Sequence, residues 1–126
     1  MKIIISNTSD PPLYQQIKNQ IKDAILHGEL KEGEMLPSIR ALANDLRVSV
    51  LTTRRVYDEL ESEGFITTKA GKGSFVAKEN FELLLESKRH MVEVKLSEAW
   101  TTARSLGISK SELYAMMDLL FEEGEE

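Results

Sequence analysis

Two serines, Ser38 and Ser49, each precede a short segment with the apolar spacing of an amphipathic helix. A serine side chain accepts a hydrogen bond from the free N–H groups of a helix's first turn, so both positions predict helix starts. Only Arg47 and Val48 separate the two segments, and the second one ends at Gly64. Two helices joined by so short a link have the outline of a helix-turn-helix.

The segments around this pair complete a small domain. After Gly64, "FITTK" and "SFVAK" flank the glycines of "AGKG", which predicts a β-hairpin, the element called a wing when it follows a helix-turn-helix. Upstream, Asp10-Pro11-Pro12 predicts the start of a first helix that ends at Gly28. Residues 2–6 predict a short strand. We therefore expect a winged helix-turn-helix over residues 1–78.

Residues 79–126 have a helical pattern that Gly107 divides in two. Ser109 and Glu112 form a capping-box motif at the start of the last helix. One apolar stripe runs along each helix, and two such helices cannot bury both stripes alone. We expect them to pair with a second copy of the chain, the alternative being that they fold back on the winged domain. The predicted dimer interface comprises Val92, Leu96, Ala99, Trp100, Ala103, Leu106, Leu113, Met116, Met117 and Leu120.

Charge is distributed unevenly along the 126 residues, although the net charge is −5. Residues 36–78 contain seven basic and five acidic side chains, whereas residues 79–126 contain five basic and eleven acidic ones. A basic middle and an acidic end suggest separate roles for the two parts, the alternative being a solvated surface with no partner. The absence of cysteine excludes disulfides and thiolate metal sites. Without a signal-peptide pattern or an apolar run of membrane-spanning length, the expected compartment is the cytoplasm, with no cofactor.

The start of the second helix of the helix-turn-helix combines residue types that gain little from burial in a core. Hydroxyl groups bind phosphate oxygens or base edges, and guanidinium groups bind phosphate or guanine. A recognition helix enters the major groove with its N-terminal end, where free N–H groups also favour phosphate. With an arginine of the preceding helix and the hairpin tip, the predicted DNA-binding residues are Arg40, Ser49, Thr52, Thr53, Arg54, Arg55, Gly71 and Lys72.

The sequence leaves a second interpretation open for several of these residues. Thr53 has a position on the helix that also suits the buried face. Arg54 and Arg55 each stand four residues before an acidic residue, Asp58 and Glu59 respectively. That spacing often produces surface ion pairs, which contribute little to stability.

Several motifs in order resemble the DNA-binding domain of the GntR family of bacterial transcription regulators. They are Leu-Pro-Ser-x-Arg, Val-Ser-x-x-Thr, Tyr-x-Glu-Leu-Glu-x-Glu-Gly and Gly-Lys-Gly-x-Phe-Val, within residues 36–76. The resemblance implies DNA contacts by Arg40, Ser49, Thr52, Arg54 and the wing tip, Gly71 with Lys72. Val50 and Leu51 depart from the Arg and Thr often found there, and their apolar side chains suit thymine methyl groups instead. The short C-terminal part is similar to the YtrA subfamily, in which two helices serve dimerisation.

These features favour a homodimeric transcription regulator, a repressor, that binds a pseudo-palindromic double-stranded DNA operator. The alternative is a winged-helix protein-interaction module that binds no DNA. An enzyme is the least favoured class, because His27 and His90 belong to no metal or triad pattern. The sequence does not identify the operator, the regulated genes or any small-molecule effector.

Overall fold

The computed structural model describes residues 1–7, 11–78 and 81–124. Its elements are α1 (Leu13–Leu26), α2 (Ile39–Leu46), α3 (Val50–Ser62), β1 (Ile66–Lys69), β2 (Gly73–Val76), α4 (Phe81–Ser105) and α5 (Lys110–Gly124). The protein is mostly helical with one small hairpin, as predicted. Its contacts divide it into two units, Met1–Ser87 and Lys88–Glu126, so the division falls within α4.

Serine caps and a left-handed residue form the turn between α2 and α3. The hydroxyls of Ser38 and Ser49 each accept a hydrogen bond from the backbone N–H three residues on, at 3.0 Å in both cases. Arg47 ends α2 in the left-handed conformation, with φ 57° and ψ 44°. The N–H groups of Arg47 and Val48 then donate to carbonyl oxygens of α2, at 3.3 and 3.0 Å. This geometry satisfies the end of α2 and allows α3 to begin at once.

Helix α3 lies at the centre of the first unit, where it packs against α1, α2 and β1. Apolar side chains from all these elements form the core. Those with at most 2% of their surface exposed include Ile17, Ile21, Val56, Leu60, Ile66 and Val76. The buried apolar face of α3 thereby fixes which of its faces points to solvent.

An ionic cluster joins α1 to the C-terminal half of α3. The Nζ of Lys18, which is 8% exposed, lies 2.9 Å from Glu59 Oε1 and 2.7 Å from Glu63 Oε2. Lys22 Nζ lies 3.1 Å from Glu63 Oε1. Burial opposes the charge of Lys18, but hydrogen bonds with Glu63 and Glu59 outweigh it and raise the pKa of Lys18. Lys18 is therefore charged in the folded protein, and its ion pairs hold α3 against α1.

The hairpin is an antiparallel pair in which Ile66 faces Val76 and Lys69 faces Gly73. Its tip turns through Gly71, whose φ of +76° suits glycine, and Lys72 N–H donates to Lys69 O at 2.9 Å. The loop before α2 adds a short third edge that the sequence did not predict, since Met35 bridges to Phe75. The base of the wing is thus fixed to the body of the unit.

The N-terminal segment corrects one prediction, because residues 2–6 form no strand. Two glutamine side chains of α1 take the place of a neighbouring strand. Gln20 accepts from Ile4 N–H at 2.9 Å and donates to Ile4 O at 2.7 Å, and Gln16 pairs with Ser6 in the same way. The predicted cap Asp10 lies outside the described residues. Proline was predicted at the first position of the helix, but Pro12 is the residue that directly precedes α1.

The second unit contains the end of α4 and all of α5. Gly107, with φ +76°, ends α4, and Ile108 N–H donates to Ala103 O at 2.8 Å. The predicted capping box is confirmed, since Glu112 N–H donates to Ser109 Oγ at 3.1 Å and Ser109 N–H donates to Glu112 Oε1 at 3.0 Å. No helix in the described ranges is both long and apolar enough to cross a bilayer.

Candidate nucleic-acid interface

The solvent face of α3 lies opposite its buried residues. Leu51, at the second position of the helix, is 77% exposed, and Arg54, Arg55 and Asp58 follow it as exposed residues. Because helical residues three and four positions apart are neighbours, these side chains form one outward face. Its N-terminal half presents an aliphatic group and two guanidinium groups, and its C-terminal half is acidic.

Ser49 and Thr52 form a hydroxyl pair at the start of α3. Ser49 Oγ accepts from Thr52 N–H and donates to Thr52 Oγ1 at 2.8 Å. The Ser49 hydroxyl is therefore used by the cap, and its proton is directed to Thr52. A hydroxyl that accepts one bond still has its own proton to donate, so Thr52 is the better donor to a phosphate or base edge.

Thr53 corrects a prediction, since it does not lie on the solvent face of α3. Its side chain is fully buried, and its Oγ1 donates to Ser49 O at 3.2 Å. The helical spacing places it on the same face as Val56 and Leu60, which point into the core. Of the two adjacent threonines, only Thr52 reaches solvent.

The two adjacent arginines have different surroundings. Arg55 Nε donates to Glu59 Oε2 at 2.9 Å, and its guanidinium lies 3.5 Å from the centre of the Tyr14 ring. The hydrogen bond with Glu59 raises the pKa of Arg55. Within the described part of the chain Arg54 forms no ion pair, and its side chain is exposed. The guanidinium of Arg54 is therefore available to an outside anion, while that of Arg55 is held towards α1.

The other predicted contacts lie on elements that α3 brings together. Arg40 is the second residue of α2 and is exposed, as are Gly71 and Lys72 at the wing tip. Glu61 fixes the wing to α3, because Thr68 Oγ1 donates to Glu61 Oε1 at 3.0 Å. The helix-turn-helix and the wing thus belong to one compact unit.

Tyr57 connects the buried face of α3 to the start of α2. Its Oη donates to Pro37 O at 2.6 Å, and burial raises the pKa of Tyr57 to about 12. A neutral phenol is therefore retained at any physiological pH. The bond fixes α3 beside the residue that precedes the Ser38 cap.

The predicted interface residues lie mostly exposed in the single chain. From residue 88 to residue 124, Ala103 is the one buried hydrophobic side chain, at 4% exposure. Leu113 and Met117 are half-buried, and the exposed members of the predicted set are Val92, Leu96, Ala99, Trp100, Leu106, Met116 and Leu120. We call these apolar side chains, the half-buried and the exposed together, the interface stripe.

Sequence reasoning missed the residues that hold the site in place. Lys18 and Glu63 are distant in sequence, and only the packing of α1 on α3 brings them together. Lys18 follows a core position, Ile17, and repeats at helical spacing with Lys22, which is the one signal that pointed to it. The described residues include no cluster of three or more potential metal ligands.

A capped helix-turn-helix with a wing, an open arginine and an exposed hydroxyl define a winged helix-turn-helix DNA-binding protein. Residues 13–76 match the family described as bacterial regulatory proteins, gntR family. The chain therefore belongs to the GntR family of transcription regulators, and the resemblance seen in its sequence motifs is confirmed.

Relatives of similar length support the YtrA-like assignment. The chain is 34% identical over 112 residues to the HTH-type transcriptional repressor YtrA of Bacillus subtilis, covering 89% of this chain and 86% of YtrA. A solved structure of YtrA from Sulfolobus acidocaldarius, a GntR-family transcription factor, is 36% identical, with a TM-score of 0.56 and full coverage of both chains.

The DNA-binding domain of AraR, solved in complex with operator ORX1, is 26% identical, with a TM-score of 0.55 over 61% of this chain and 96% of that one.

Proposed function

We propose that the protein is a homodimeric transcription repressor that binds a pseudo-palindromic operator through two copies of α3. The naming of its relative YtrA as a repressor and the AraR domain's complex with an operator support this proposal. As a regulator of bacterial genes it would act in the cytoplasm and catalyse no reaction.

The observation on which the DNA-binding proposal rests is the open guanidinium of Arg54 on the solvent face of α3. Thr52 supplies a hydroxyl proton within the first turn of α3, and free N–H groups of that turn favour phosphate. The recognition helix of a helix-turn-helix lies in the major groove with its N-terminal residues at base edges. Arg54 would pair with guanine or phosphate, and Arg40 and Lys72 would contact the backbone on either side.

The homodimer proposal rests on the interface stripe. A unit with one buried apolar side chain lacks the core that would stabilise isolated helices in water. When two identical copies pair, the stripe of one copy covers the stripe of the other. Most homo-oligomers form through such a symmetric contact. A two-fold dimer would present two recognition helices to half-sites about one helical turn apart, ~10 bp.

DNA binding is tested with the purified chain and duplexes selected from a random library. We expect fluorescence anisotropy to give sequence-specific binding whose log K falls linearly with log salt concentration. Arg54→Ala should lose at least about fivefold in specific affinity, since a bidentate base contact contributes ~1–3 kcal/mol. Arg89→Ala, an exposed arginine on α4, is the matched control and should bind as the wild type does. Absence of salt-sensitive duplex binding would instead favour the protein-interaction module.

Dimerisation is tested with two neighbouring leucines of α5. Leu120 belongs to the interface stripe and is 61% exposed, whereas Leu119 is 56% exposed and lies about 100° further round the helix. Leu120→Glu should produce a monomer in sedimentation equilibrium, because it places a charge within the apolar contact. Leu119→Glu should remain a dimer. If both variants sediment as the wild type does, the stripe is not the interface.

A further inference from the structure

We propose that Leu51 selects thymine in the operator by packing against its C5 methyl group. The inference rests on the proposed DNA-binding function and assigns a base preference to one residue of the site. It concerns a side chain that the fold leaves almost fully in water.

Leu51 contributes little to the folded core. It is 77% exposed and lies opposite the buried face of α3, which includes Val56 and Leu60. Because the stabilisation from burying apolar groups scales with the area removed from water, a side chain so exposed adds little. Single exposed leucines are nevertheless common on protein surfaces. The role of Leu51 therefore depends on its position on α3 as well as on its exposure.

The position of Leu51 is the leading end of the helix that enters the groove. Val50, immediately before it, is 37% exposed, so the first two residues of α3 form a small apolar patch. Arg54 lies one turn behind, with an open guanidinium, and Thr52 lies beside it. An apolar patch ahead of cationic and hydroxyl groups gives the end of α3 two kinds of contact surface.

The chemistry of the major groove matches that patch with one base. Base edges there present hydrogen-bond donors, acceptors and a single apolar group, the methyl of thymine. Leucine has neither donor nor acceptor. Facing cytosine or guanine it would cover polar groups without pairing them, which costs free energy, whereas facing thymine it buries a methyl group. Leu51 thus favours thymine by attraction and disfavours the other bases by unpaired polar groups.

Single replacement of thymine by deoxyuridine tests the proposal, because it removes only the methyl group. Each thymine of a library-selected duplex is replaced in turn, and affinity is measured for wild type, Leu51→Ala and Ile4→Ala. Ile4 is a matched control, an aliphatic residue 71% exposed on the N-terminal segment.

We expect the wild type and Ile4→Ala to lose about fourfold in affinity at one or two positions per half-site. That ratio corresponds to the ~0.8 kcal/mol gained by burying one methyl-sized group. Leu51→Ala should bind thymine and deoxyuridine duplexes equally at those positions. The proposal is overturned if no replacement affects the wild type, or if Leu51→Ala keeps the wild-type sensitivity.

Those results would leave the proposed function in place, since the effects of Arg54→Ala and of salt do not depend on Leu51. A wild-type chain that binds no selected duplex at all would overturn both proposals together.

Discussion

The phenolic Oη of Tyr57 lies 2.6 Å from the carbonyl oxygen of Pro37, and this bond joins α3 to the start of α2. A polar contact therefore adds to the apolar packing that holds α3 beside the segment leading into α2. At the other end of α2, Arg47 adopts the left-handed conformation and forms the turn into α3.

Tyr57→Phe retains the ring and removes the donor to Pro37. A hydrogen bond of this kind contributes about 1 kcal/mol net, so the free energy of unfolding should fall by about that amount. Urea unfolding followed by circular dichroism measures it. Tyr14→Phe is the control, because the Tyr14 ring lies against Arg55 and removal of its hydroxyl leaves that contact intact. Equal losses in both variants would contradict the role given to the bond.

Lys18→Met should destabilise the first unit through the cluster with Glu59 and Glu63. Lys18 is buried, but its partners are about a third exposed, so we expect about 1–2 kcal/mol, between surface and fully buried ion pairs. Lys95→Met is the control, because the Lys95–Glu98 pair is exposed and 3.6 Å long. The unfolding free energy of the Lys95→Met variant should differ from that of the wild type by less than about 0.5 kcal/mol. A Lys18 variant as stable as the control would show that the cluster is not stabilising.

Acid should weaken the same cluster. Hydrogen bonds with Lys18 and Arg55 lower the pKa of Glu59, while for Glu63 burial opposes ionisation and the bonds with Lys18 and Lys22 still lower the pKa. A carboxylate with a depressed folded-state pKa stabilises the fold above its ordinary value of 4.5 and loses that contribution as the pH falls below it. Urea titrations between pH 6 and about pH 3 should show this loss, and Lys18→Met should show a smaller one. Parallel pH profiles for both proteins would contradict the assignment.

The adjacent threonines of α3 offer a matched pair for the same substitution. Thr52→Val should weaken specific DNA binding by about fivefold, since it removes a hydroxyl hydrogen bond of about 1 kcal/mol. Thr53→Val should leave the affinity unchanged, because Thr53 is fully buried and bonded to Ser49 O. Thr53→Val should change the free energy of unfolding instead. Anisotropy and urea unfolding of both variants separate the two roles, and weaker binding by Thr53→Val at unchanged stability would reverse them.

Arg54 and Arg55 should differ in their importance for DNA. Arg55 is bonded to Glu59 and lies against Tyr14, so a phosphate must compete for its guanidinium. We expect Arg55→Ala to lose less specific affinity than Arg54→Ala in the same anisotropy titration. If Arg55→Ala loses as much or more, the guanidinium of Arg55 must leave Glu59 when DNA binds.

Local signals in the sequence predicted most of the fold. Serine before Ile39 and Val50, the glycines at 64 and 107, and the capping box at Ser109 each act within one helical turn, so neighbouring residues suffice to identify them. The strand expected at residues 2–6 was wrong because strand formation needs a neighbour elsewhere in the chain, and glutamine side chains of α1 take that place.

The candidate site was predictable as a set of residue types but not as a surface. Both threonines and both arginines at positions 52–55 have side chains that can bind DNA, but the sequence left a buried position open for Thr53 and ion pairs open for the arginines. Packing of α3 on α1 and α2 then buries Thr53, holds Arg55 towards Glu59 and Tyr14, and leaves Arg54, Thr52 and Leu51 facing water.

By itself, the sequence determined the order of helices, the turn, the wing and the family, because caps, glycines and apolar spacing act over a few residues. Only the tertiary structure decided which polar side chains remain available to a partner. That outcome depends on contacts between segments some forty residues apart, such as Lys18 with Glu59, which no local pattern encodes.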